Sequence, residues 1–176
     1  WLADEAHVAH YMRAFKWIEG LFFLPHVVAS AAIPALVAAG DSDDPKAQKR
    51  TLLQVAVVLG CALSLVAVGL HLLGPAILSL FLGEAVADSR ALFVTLVWVV
   101  PIHGLGIYLA AALVTRRQER ALLGIVVVAS LCGLTAKVIG FALMGTTAFV
   151  WGLYLGLLVH VLGCAWCLWR RLDSPA

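Results

Sequence analysis

Long apolar runs separated by short polar breaks organise the whole chain. A helix crossing about 30 Å of hydrocarbon needs roughly 20 apolar residues, and five stretches meet that length. They run from about residue 11 to 39, 52 to 73, 91 to 114, 121 to 144 and 147 to 169. The pattern predicts an all-α membrane protein of about five transmembrane helices. Gly74-Pro75 is expected to end or kink the second span, with Ala76 to Leu82 continuing near the interface. The first run exceeds one crossing and carries Pro25 and Pro34, so a kinked or tilted helix is expected. The bend reads either as structural or as a hinge for alternating access.

The polar breaks carry the orientation. Lys46, Lys49 and Arg50 follow the first span, Arg116, Arg117 and Arg120 the third, and Arg170 and Arg171 the fifth. The opposite loops hold only Arg90, which makes eight basic residues against one. The positive-inside rule then places the basic side in the cytoplasm, residues before Tyr11 outside and the C-terminus inside the cell inner (plasma) membrane. Tyr11, Trp17, Phe81, Trp166 and Trp169 fit an interfacial aromatic belt, whereas Trp98 and Trp151 do not. An odd span count from the outside, on a chain that starts at Trp1 without a signal-peptide pattern, leads us to expect at least one missing upstream helix.

Composition agrees with a lipid solvent: 63% of residues are hydrophobic and 12% charged, against about 25% charged in soluble domains. A net charge of +2 does not point to nucleic acid. Cys61, Cys132, Cys164 and Cys167 all fall inside apolar runs. Cys164-Ala-Trp-Cys167 has the spacing of a redox or zinc motif but no second ligand pair, so these cysteines read as small apolar residues. Asp41-Ser42-Asp43-Asp44-Pro45 lacks the calcium-loop spacing and reads as a polar turn.

Charge inside a bilayer costs about 2.5–3.5 kcal/mol per residue at the centre, so each buried polar residue needs a reason. Arg13, Lys16 and Glu19 recur at three-residue steps on one helical face, where Lys16 and Glu19 can pair. They anchor the helix end or line a water-filled cavity. Lys137 lies about seven residues from the end of the fourth span and either snorkels or faces a cavity as a cation for an anionic ligand. His26, His71, His103 and His160 are intramembrane as well. Hydrogen bonding between helices accounts for them, with paired haem ligation as the alternative. His26, beside Pro25, is the histidine to test for function. No constellation for covalent catalysis is present, so we expect neither an enzyme nor a bound cofactor.

Three segments carry a family resemblance. The stretch Val8-Ala9-His10-Tyr11-Met12-Arg13-Ala14-Phe15-Lys16-Trp17-Ile18-Glu19, followed by Phe23-Leu24-Pro25 and Ala32-Ile33-Pro34-Ala35-Leu36, is the first. Ala76-Ile77-Leu78-Ser79-Leu80-Phe81-Leu82-Gly83 is the second, and the basic turn Thr115-Arg116-Arg117-Gln118-Glu119-Arg120 the third. In order and orientation they resemble the C-terminal half of polysaccharide flippases of the multidrug/oligosaccharidyl-lipid/polysaccharide exporter superfamily. The chain departs from that pattern at Ala9-His10 and at Ala129-Ser130-Leu131-Cys132-Gly133. The resemblance implies a partial bundle of a two-bundle transporter, its partners being the lipid bilayer, the missing N-terminal half and an undecaprenyl-pyrophosphate-linked glycan. It implies flipping of lipid-linked oligosaccharide by alternating access, with Arg13, Lys16, Glu19, His26 and Lys137 as candidate substrate-binding residues. A drug/cation antiporter of the same superfamily, a haem-binding subunit and a membrane scaffold are the alternatives.

Overall fold

A computed structural model describes residues 5–40, 44–82, 87–145 and 147–173. It contains seven helices: α1 (Glu5–Leu21), α2 (Phe23–Gly40), α3 (Pro45–Leu82), α4 (Ala87–Leu96), α5 (Val99–Val114), α6 (Glu119–Met144) and α7 (Thr147–Asp173). Among the described residues there is no strand. Helices α1 with α2, and α4 with α5, join end to end. The result is five rods long and apolar enough to cross a membrane: Tyr11–Ala38, Lys46–Leu80, Ser89–Val114, Glu119–Met144 and Thr147–Arg170. The protein is an all-α, multi-pass membrane protein.

The third rod is the core. Half of it is buried (50%), against 11% of the fourth. Leu96, Val97, Val99 and Val100 are fully enclosed. Helix α4 lies against α1 and α3, and α5 against α2, α3 and α7. Helix α6 packs chiefly on α7, and its other face, with Leu123, Val127, Leu131 and Val138, stays exposed for lipid.

Proline sets the two breaks, though not at every proline. Pro25 leaves the Leu21 carbonyl without its usual donor, and the chain turns at Phe22, whose N–H donates to the Glu19 carbonyl at 3.1 Å. Pro101 does the same for Val97, whose carbonyl accepts instead from the Val100 N–H at 3.2 Å. The same break leaves the Thr95 carbonyl to the Tyr154 hydroxyl of α7. By contrast α2 runs through Pro34 and α3 through Pro75. Of the expected end or kink at Gly74-Pro75, the end does not occur: the span runs through it as one helix of 38 residues. Gly74 has a packing role: a Cβ there would collide with the Phe93 ring of α4.

Helices α6 and α7 form a hairpin closed to backbone contact. A Cβ on Gly133 would stand 2.9 Å from the Gly152 carbonyl oxygen, and one on Gly156 would stand 3.2 Å from that of Ala129. Small residues one turn apart allow this approach, the usual route to tight helix association in lipid. Gly145 turns the hairpin at φ 62°, ψ −142°, a conformation open in practice only to glycine.

The basic segments gather at one end. Asp44 caps α3 through its carboxylate, which accepts from the Lys46 N–H at 2.9 Å, with Pro45 at the first helical position. Lys46, Lys49 and Arg50 thus belong to the first turns of α3 rather than to a loop. The Lys49 ammonium sits 4.2 Å above the Trp169 ring, and Arg170 lies over Trp166 at 5.4 Å. The third basic segment follows α5. There Gln118 N–H reaches the Leu113 carbonyl (3.0 Å) and Arg117 N–H that of Val114 (2.9 Å), with Arg117 left-handed at φ 56°. This is the two-bond C-terminal cap that glycine usually completes. Burial holds the Arg116 guanidinium below its ordinary pKa while the nearby Tyr108 opposes the shift. Residues 41–43 of the expected polar turn, 83–86 of the outer loop and Thr146 lie outside the described residues.

Candidate functional site

Arg13, Lys16 and Glu19 lie on the exposed face of α1, opposite the buried Ala14 and Ile18. The three-residue steps do place the charges on one side. The pairing that their spacing allows does not form: among the described residues no ion pair joins Lys16 to Glu19, and both are exposed. His26 is also exposed, on the first turn of α2.

Lys137 occupies a different part of the bundle. It is half-buried on α6, and its aliphatic stem crosses Gly152 of α7 so closely that a Cβ on Gly152 would collide with it. Beside it a groove of about 340 Å³ opens between the two helices, lined by Ser130, Gly133, Gly156 and His160 among others. The His160 Nε2 is buried with no hydrogen-bond partner. Its Nδ1 faces α5, where a Cβ on Gly106 would stand 3.1 Å away. Among the described residues the polar side chains lining this otherwise apolar groove are thus a lysine, a histidine and a serine.

The histidines connect the two regions. His26 and His103 lie edge to face with ring centroids 6.0 Å apart, and Phe22 covers His103 at 4.6 Å. His160 packs on α5 against Gly106, one turn beyond His103. The midpoints of the first, third and fifth spans fall at residues 24.5, 101.5 and 158.5. His26, His103 and His160 each lie 1.5 residues beyond, about 2 Å along the helix axis. The three histidines thus hold similar positions along their helices, although the His160 ring packs at Gly106, one turn past His103. His71 stands apart: its Nδ1 accepts from the Trp98 indole N–H at 3.3 Å, joining α3 to the α4–α5 break. This accounts for Trp98 as well; Trp151 remains exposed beside Tyr154, at 6.1 Å between rings.

The sequence accounts for all four histidines by hydrogen bonds between helices; among the described residues only the His71 side chain makes one, while His26 and His103 meet through their rings. Among the described residues no three His, Cys, Asp or Glu side chains converge as a metal site. All four cysteines are free, and the Cys167 thiol reaches the Gln118 amide oxygen at 3.4 Å.

The chain matches no family model, no curated protein and no solved structure.

Proposed function

We propose that the protein is one bundle of a transporter that flips lipid-linked oligosaccharide across the cytoplasmic membrane by alternating access. The observation that carries this reading is the groove between α6 and α7 that holds Lys137 and His160 between apolar walls, with the His26–His103 ring contact on the neighbouring helices. Transporters bind substrate near the midplane, where polar groups in a bilayer otherwise have no use. Lys137 supplies a cation for a pyrophosphate, and the groove's apolar walls suit a lipid. Arg13, Lys16 and Glu19 would line the approach from the outer side, and a second bundle would close the cavity over them. The broken first and third rods support a bending motion.

In this reading the basic ends face the cytoplasm, as the positive-inside rule requires. Deleting the gene in its own host tests the function. Lipid-linked oligosaccharide should accumulate on the inner leaflet, and the full-length gene should reverse this. A Lys137→Ala version should fail to do so at normal membrane levels. Unchanged polysaccharide export in the deletion strain would refute the proposal.

A further inference from the structure

We infer that the groove between α3, α5 and α7, at the basic end of the bundle, binds one anionic phospholipid, with an acyl chain in the groove and the phosphate on Lys46 and Lys49. The groove holds about 210 Å³ and is walled by Leu52, Ala56, Leu109 and Ala165 among others. Among the described residues Lys49 is the charged residue in that lining, and Trp169 stands beside it. The Lys49 ammonium lies 4.2 Å over the Trp169 ring, so an apolar body and a charged tip meet at one end of the groove. Their depth suits a headgroup. Lys46 opens the second span and Arg170 closes the fifth. Lys49 is thus three residues and Trp169 one residue inside the span ends, about 5 Å and about 2 Å along the axis. Lys46 precedes Lys49 by three residues, hence on the same side of α3, and is exposed.

An acyl chain gains little by leaving the bilayer for an apolar groove, because lipid tails are as apolar as leucine. Selectivity therefore comes from the headgroup. Among the described residues of this end, Lys46, Lys49 and Arg50 on α3 and Arg170 on α7 outnumber Asp44 and Asp173. The Asp44 carboxylate accepts from the Lys46 N–H as the α3 cap. The first turns of α3 thus add two lysines to the positive end of the helix dipole, like charges that one phosphate offsets together. A zwitterionic phospholipid brings a cation with its phosphate and loses this advantage. A second copy of the chain in the same orientation would bring its own basic end and be repelled. The groove lies toward the opposite end of α7 from Lys137. It stands whether or not the protein flips lipid-linked oligosaccharide.

The test is native mass spectrometry of the full chain released from nanodiscs of equal phosphatidylglycerol and phosphatidylcholine with matched acyl chains. The parent protein should retain the anionic lipid about fivefold over the neutral one, the factor expected from one lysine near a charged surface. Lys49→Gln should bring the two lipids to parity, whereas Arg120→Gln, at the start of α6, should keep the preference. Ala165→Leu leaves every charge in place and fills the groove, so it should lose bound lipid. The two variants change charge and groove separately, and either one decides if the other fails to insert. Equal retention of both lipids by the parent would overturn the inference. An Arg120→Gln effect as large as that of Lys49→Gln, or undiminished lipid on Ala165→Leu, would do the same. So would displacement of the lipid by glycerol phosphate, which would make this a site for free phosphate, or a lipid-free dimer as the released species.

Discussion

The Tyr108 hydroxyl donates to the Leu52 carbonyl oxygen at 3.1 Å, across the buried contact between α5 and the start of α3. The ring is fully enclosed, so no water or lipid headgroup can substitute as its partner. Tyr108→Phe keeps the shape and removes the bond. It should lower stability by about 1 kcal/mol, read as a lower thermal unfolding midpoint in detergent with all five spans still inserted.

Arg117 holds a left-handed backbone conformation that costs an L-residue about 1–2 kcal/mol. Arg117→Gly removes that strain and adds flexibility to the unfolded chain, so the expected net gain is about 0.5–1 kcal/mol. Arg117→Val should destabilise instead, because a branched Cβ suits this conformation worst. Paired unfolding curves of the two variants check the order.

The α6–α7 hairpin offers a contrast within one helix pair. Gly152→Leu forces a side chain against the Gly133 carbonyl and the Lys137 stem and should cost about 3 kcal/mol. Gly124→Ala meets nothing within 4 Å and should be neutral or slightly stabilising through helix propensity. Equal unfolding midpoints for the two variants would contradict the close packing.

Orientation can be read chemically. With Cys61, Cys132, Cys164 and Cys167 replaced, a single cysteine at Arg117 should react with an impermeant maleimide only from the cytoplasmic face. One at Thr147 should react only from the opposite face. The reverse pattern would overturn the orientation, and with it the approach route assigned to Arg13, Lys16 and Glu19.

How much of this was legible in the sequence depends on which force decides each feature. Hydropathy sets the spans, so all five were readable, with ends extended where α3 continues past Leu73 to Leu82 and begins at Pro45. The breaks were readable only in part: a kink was expected in the first run, but neither which proline makes it nor the break before Pro101. Pro25, Pro34, Pro75 and Pro101 each remove one donor, yet only the first and last coincide with a break. At Phe22 and Val97 the interrupted turns are bridged by replacement bonds, and the Thr95 carbonyl depends on Tyr154, 59 residues away. That partner follows from tertiary packing, which no local window contains. Lys137 was identifiable as a buried cation, but its groove depends on Gly133, Gly152 and Gly156 admitting α7 to backbone contact. The His26–His103 contact was not readable either, because it requires the adjacency of α2 and α5.

Helix α6 leans almost entirely on α7, joined by a turn at Gly145. The pair therefore carries its principal interface within itself and can zip together before it meets the rest of the bundle. Its outward face, from Leu123 to Leu143, offers lipid little but aliphatic surface. The hairpin is thus a prefabricated unit, docked mainly through α7, with α6 making only a minor contact to the buried third rod.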